Sequence, residues 1–289
     1  MLRRVLPLLS LALLCACPPD PAPTSAPTDT STTQPPAQPD TAGWTGIVDE
    51  ASFKAMHTLR TDHAPAPRGT MVALGSAKAY LSLPEGATAP LPAVVVVHEW
   101  WGLNEHIQHF ADRLAADGYA ALAVDLYGGR VATTPDEAMA AMKAVDPAAA
   151  QAVLDAAHRF LADDPRVAAQ RRGVIGWCFG GAWALRQAIA HPDLDAAVIY
   201  YGRLETDPAQ LAKIHAPLLG VFANADKSIP PEAVDAFVAA LGQAGRAIEL
   251  HRYDADHAFA NPSGAHYDEA AAADAWSHVR RFLATHLRR

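Results

Sequence analysis

The stretch that most constrains this chain is Gly176-Trp177-Cys178-Phe179-Gly180-Gly181, set between an apolar run, Val174–Trp177, and the helix-forming segment Ala182–Ala190. G-x-C-x-G at a strand-to-helix break is the cysteine form of a nucleophile elbow. The nucleophile there sits on a strained turn, so the residues two positions away on each side must lack bulk. Gly176 and Gly180 meet that need, and Gly181 lets the helix begin close to the strand. The helix N-terminus then directs partial positive charge at the sulfur. A buried structural cysteine beside a glycine turn is the plainer reading, and the rest of the chain decides between the two.

Alternation of short apolar runs with helical periodicity continues on both sides. Met71–Leu74 and Ala77–Leu83 read as a hairpin turning at Gly75-Ser76. Strands are expected over Ala93–His98, Ala120–Leu126, Ala196–Tyr200, Pro217–Ala223 and Ala247–Tyr253. Helices are expected from Ile107 to a stop at Gly118, over Pro135–Val145 and Pro147–Ala162, around Val234–Leu241 with a stop at Gly242, and over Asp268–Leu287. Strands alternating with helices predict an α/β domain: a mostly parallel central sheet with helices on both faces.

In such sheets chemistry gathers beyond the carboxyl ends of the strands. Asp226 falls just after Pro217–Ala223, and His257 falls in the loop after the last strand. The order nucleophile, acid, histidine is that of the α/β-hydrolase triad. Asp226 would fix the imidazole tautomer and balance its charge, while His257 would take the thiol proton. Asp254 and Asp256 are rival acids, but they stand too near His257 in sequence to reach its far nitrogen easily. The loop after Ala93–His98 would give one oxyanion amide, Trp100, and the residue after the nucleophile, Phe179, the other. Glu99 stands just beyond four valines and His98 and needs a partner if buried, Arg130 or Arg203 being nearby cations.

These motifs, with Asp125-Leu126-Tyr127 and Tyr200-Tyr201-Gly202, resemble the dienelactone hydrolase family from about Met71 to the C-terminus. The resemblance implies the α/β-hydrolase fold, a Cys178–His257–Asp226 triad and a cysteine-bound acyl intermediate. It also implies that Glu99 holds the resting thiol away from the histidine until substrate displaces it. The family's substrate-gripping arginine four residues after the histidine is Asn261 here, and its second arginine has no counterpart in Thr133–Met142. Loss of a bidentate carboxylate clamp implies a substrate other than dienelactone. Trp101, Arg130, Tyr201 and Asn261 are the expected substrate-binding residues. Trp100, Trp101, Trp177 and Phe179 are either pocket lining or core.

Other signals bound the function. Net charge is −8, which argues against a nucleic-acid partner. No phosphate loop or dinucleotide fingerprint occurs, so no cofactor is expected. His106 and His109 lie three apart on a helix without an evident third ligand; a solvated helix face is expected rather than a metal site.

Ahead of the domain, Met1-Leu2-Arg3-Arg4 and the apolar Val5–Leu14 read as a signal peptide ending in Leu14-Cys15-Ala16-Cys17. This resembles a bacterial lipobox, with cleavage after residue 16 and lipid on Cys17. Residues 17–43, rich in Pro and Thr, then read as a tether, and 44–70 as a helix (Asp49–Arg60) and connector before a domain over 71–289. The expectation is a monomeric lipoprotein on the periplasmic side of a membrane or at the cell surface. It hydrolyses a small ester or lactone. The alternatives are a carboxylesterase for an apolar substrate, a hydrolase-fold binding lipoprotein with little turnover, or an oxidation-sensitive thiol at Cys178.

Overall fold

The computed structural model describes residues 66–288; the signal, the tether and the helix expected at Asp49–Arg60 lie outside them. Eight strands run β1 (Thr70–Leu74), β2 (Ala77–Ser82), β3 (Ala93–Val97), β4 (Ala120–Val124), β5 (Arg172–Trp177), β6 (Ala196–Tyr200), β7 (Leu218–Ala223) and β8 (Glu249–Tyr253). Seven helices join them: α1 (Glu105–Ala116), α2 (Pro135–Lys143), α3 (Pro147–Asp163), α4 (Phe179–Ala190), α5 (Pro208–Leu211), α6 (Pro231–Gln243) and α7 (Glu269–Leu287). The strands form one sheet in the order β1-β2-β4-β3-β5-β6-β7-β8. β2 is antiparallel to both β1 and β4, and every other pairing is parallel.

The continuous apolar strands are explained by two covered faces. Successive side chains alternate across a strand, so Val95 and Val97 enter one core with Leu154 and Leu161 of α3, Trp183 of α4 and Phe237 of α6. Val94 and Val96 enter the other with Phe110 of α1 and Trp276, Val279 and Phe282 of α7. All five residues of β3 are fully buried, each valine worth roughly 1.5–3 kcal/mol relative to exposure.

Observed ends of the expected elements fall within two residues of their periodicity except at the starts of α4 and of α6, which opens at Pro231, three residues before Val234. α4 begins at Phe179, three residues before the expected start, because Gly180 and Gly181 form its first turn instead of preceding it. α6 runs past Gly242 to Gln243, and the left-handed residue that ends it is Gly245, at φ 67°. The short α5, capped by Asp207 with Pro208 at its first position, was not expected from the periodicity.

Candidate active site

Cys178 joins β5 to α4 at φ 54°, ψ −115°, a conformation unfavourable for a side-chain-bearing residue. Its surroundings leave no room for bulk. A Cβ at Gly176 would strike the backbone of Gly180, and one at Gly180 would strike the carbonyl oxygens of Val97 and His98. One at Gly181 would meet the Tyr200 carbonyl and Gly202. The elbow is therefore clamped between β3, β5 and β6. Phe179 opens α4, where the first amides have no acceptor within the helix, and no side chain caps them.

The loops beyond the strands are tied together by main-chain bonds that prolong the sheet. Cys178 N–H donates to Tyr200 O at 3.0 Å, Tyr201 N–H to Val221 O at 2.8 Å, Asn224 N–H to Tyr253 O at 2.7 Å and Ala225 N–H to Ala255 O at 3.0 Å. These bonds bring Asp226 to His257. Asp226 is buried; its Oδ1 accepts from the amides of Ser228 and Ile229 at 2.7 and 2.9 Å, leaving Oδ2 to His257 Nδ1 at 2.6 Å. Burial alone would raise this carboxyl, but the hydrogen bond from His257 and the two amides hold it below its ordinary value. Burial likewise opposes charge on His257, yet its hydrogen bonds to Asp226 and Cys178 and their charge raise the imidazole to about 10. With Nδ1 committed to Asp226, Nε2 is the nitrogen left for Cys178.

The rival acids are engaged elsewhere. Asp254 accepts from Asn224 Nδ2 at 2.6 Å, and Asp256 lies 3.4 Å from His266.

Glu99 is almost fully buried, and its partners are neither Arg130 nor Arg203. Oε2 accepts from Asn261 Nδ2 at 2.6 Å and lies 4.0 Å from His106 Nε2; the Tyr201 hydroxyl stands 3.5 Å from Oε1. Burial raises Glu99 to about 7, against the charge of His257 and the bonds from Asn261 and Tyr201. Asn261 and Tyr201 hold Glu99 on the side of the cavity they share.

His98 is a residue that the sequence reading passed over. Its Nδ1 bonds the Glu99 carbonyl at 2.5 Å, and its Nε2 accepts from Leu126 N–H at 3.2 Å. The ring stacks on Phe179 and meets Tyr127 edge-on. Burial lowers it to about 4, keeping it neutral so that one nitrogen donates and the other accepts. It thus joins the exits of β3 and β4 beside both expected oxyanion amides. The signal was its position: the first polar residue after a fully buried strand.

A cavity of about 900 Å³ opens over Cys178, Glu99 and His257. Trp100, Trp101, Phe179 and Trp183 form one part of its wall, and Met139, Met142 and Val145 another. Tyr201 and Asn261 also face it. Trp177 does not: it is core, stacked on Phe110. Arg130 is exposed and lies outside the cavity wall, which corrects its expected place in substrate binding. Two arginines not foreseen there, Arg186 and Arg203, do line it; Arg186 rests on the Trp183 ring at 4.8 Å. His106 and His109 are likewise not on a solvated face. Both are buried, because α1 buries nine of its twelve residues.

Comparison with known proteins gives this arrangement its context. Residues 77–287 match the Dienelactone hydrolase family. The chain belongs to that family. It is 33% identical over 234 residues to a Salmonella typhi protein named "Putative carboxymethylenebutenolidase", covering 71% of this chain and 82% of the relative. Among solved structures, a dienelactone hydrolase-family protein from Klebsiella pneumoniae superposes with a TM-score of 0.69 at 31% identity, over 75% of this chain and 98% of that one. A dienelactone hydrolase-like promiscuous phosphotriesterase from metagenomic libraries gives 0.65 at 27% identity, over 76% and 97%. Family membership and these relatives make the chain a dienelactone hydrolase-like hydrolase on the α/β-hydrolase fold.

Proposed function

We propose that this family member hydrolyses a carboxylic ester or lactone with Cys178 as nucleophile, His257 as general base and acid, and Asp226 as the orienting carboxylate. The observation that carries the reading is the 2.6 Å bond from His257 Nδ1 to Asp226, in an imidazole that shares the cavity with Cys178. Sγ adds to the carbonyl carbon, and the amides of Trp100 and Phe179 receive the oxyanion. Collapse expels the alkoxide, which takes a proton from His257 and leaves a thioester. His257 then deprotonates water, whose attack returns the acid and the free thiol.

The cavity argues for the substrate's character. Its walls are largely aromatic and aliphatic, and the position of the family's clamp is held by Asn261, whose amide is occupied by Glu99. Arg186 and Arg203 supply positive charge elsewhere on the wall, and among the described residues neither is paired with a carboxylate. A bulky apolar ester with an anionic end fits this distribution. Glu99 as a gate belongs to the same proposal: it shares the cavity with the thiol and feels the imidazole's charge.

The test is hydrolysis of p-nitrophenyl acetate by the chain beside Cys178→Ala and His257→Ala. Loss of turnover in both folded variants supports the triad. A stoichiometric burst in the wild type would mean acylation without deacylation. Equal background rates in all three would refute the catalytic reading and favour a binding protein.

A further inference from the structure

Away from the cavity, β8 and α7 meet through polar side chains. Glu249, His251 and Tyr253 alternate along β8 and so share one face. Each has a partner on α7: Tyr253 donates to Asp274 at 2.7 Å, His278 lies 3.7 Å from Glu249, and the His251 and His278 rings are 3.5 Å apart. Glu249 is exposed and His251 and Tyr253 are only partly buried, so this face is reachable from solvent.

We infer that Glu249, His251 and His278 form a binding site for a divalent transition-metal ion such as Zn²⁺, joining the edge strand to the closing helix. One ligand atom from each lies within 4.8 Å of the others. Four-coordinate zinc with bonds of about 2.0–2.1 Å needs ligand atoms about 3.3 Å apart. Glu249 Oε1 is 2.9 Å from His251 Nε2 and 3.7 Å from His278 Nδ1, distances that bracket that spacing. The side chains of His251 and His278 are 20% and 21% exposed, enough to admit an ion and a water as fourth ligand. Two imidazoles and one carboxylate are a suitable donor set for zinc.

A second observation marks the place for a cation. The Arg281 guanidinium lies against His278 Nδ1 and 4.0 Å from Glu249, so a positive group already contacts two of the three ligands. Its side chain is 42% exposed and has room to swing outward when an ion enters. Asp274, 3.5 Å from His278 Nε2, orients the ring from its other side, as outer-shell carboxylates commonly do for metal-bound imidazoles.

β8 and α7 bracket the loop that carries His257, and Tyr253 packs on Phe259 within that loop. An ion here would therefore tie together the strand and the helix that flank the loop, without touching the cavity.

The experiment is calorimetric titration of the full chain with Zn²⁺, with melting temperature read in parallel. The wild type takes up one equivalent at this site and melts higher with metal. His251→Ala and His278→Ala each weaken that equivalent at least tenfold and abolish the thermal gain; exposed His215→Ala leaves both intact. Arg281→Ala, which removes the resident cation, tightens binding. If a histidine variant does not fold, Glu249→Gln replaces it. Zinc uptake unchanged in these ligand variants, or none by the wild type, overturns the site.

Discussion

Asp226→Asn is the most discriminating single change at the site. Asn retains an oxygen for the Ser228 and Ile229 amides, so the loop keeps its anchors, but its amide group now faces His257 Nδ1. The ring is then driven to the tautomer that carries hydrogen on Nε2, which cannot accept the thiol proton. The charge effect can be sized. His257 stands at about 10 against an ordinary 6.5, which is about 5 kcal/mol in favour of the charged ring at 1.36 kcal/mol per tenfold. Asp226 and Cys178 share that against burial. Losing the Asp226 carboxylate should therefore lower the population of imidazolium by at least about tenfold. The wrong tautomer adds to this, and in a serine triad the corresponding change costs about 10⁴ in turnover. We expect kcat/KM on p-nitrophenyl acetate to fall by about 10²–10⁴ with the melting temperature nearly unchanged. The His257 imidazole, followed by NMR and assigned against His257→Gln, should titrate well below its wild-type position. A variant within threefold of wild type, with an unmoved imidazole, would refute the role given to Asp226.

The remaining predictions concern stability, specificity and anchoring. Glu99 is raised in the folded state from 4.5 to about 7. Its ionisation therefore costs stability as pH rises through that window, and the cost is complete above about 7. Glu99→Gln should be more stable than wild type at pH 8, by about 3 kcal/mol, and nearly equal at pH 4, read by urea unfolding. Gly180→Ala places a methyl group against the carbonyls of Val97 and His98. It should cost about 2–3 kcal/mol and lower the melting temperature by roughly 5–10 °C; a smaller change means the elbow is looser than described. Arg203→Glu should lower kcat/KM severalfold for esters with an anionic end and spare neutral esters of the same shape; equal effects would remove the charge argument. If Cys17 carries lipid, Cys17→Ser in a bacterial host should abolish fatty-acid labelling and release the protein from membranes.

What was legible in the sequence was whatever is local. Gly176 is dictated by a collision with the backbone of Gly180, four residues on. The G-x-C-x-G spacing itself is local even though Gly180 owes its lack of a side chain to the distant carbonyls of Val97 and His98. An unbroken run such as Ala93–Val97 announces a strand covered on both sides. Polar residues whose partners lie far off in sequence were not legible. Glu99 is held by Asn261, 162 residues on, and by Tyr201, 102 residues on; nearby arginines were the natural expectation and the wrong one. α1 misleads for the same reason. Its polar side chains suggest a solvated face, but Asp112 is buried by bonds to Tyr80 and Ser82, and Arg113 by Trp276. The cavity wall too is assembled from separate segments, which is why Arg186 and Arg203 were missed while Arg130, nearer in sequence to Glu99, drew the expectation.

The main-chain bonds that carry the sheet beyond β5, β6, β7 and β8 bear on how freely this protein can change. They link the loops of Cys178, Asp226 and His257 through peptide groups, which every residue but proline supplies in full. The spacing of the three side chains is thus an inheritance of strand register more than of the particular residues around them. Mutation can replace the aromatic and aliphatic walls of the cavity, and with them the molecule that is admitted, while the distance from sulfur to imidazole stays fixed. Recognition is free to wander over a chemistry that stands still.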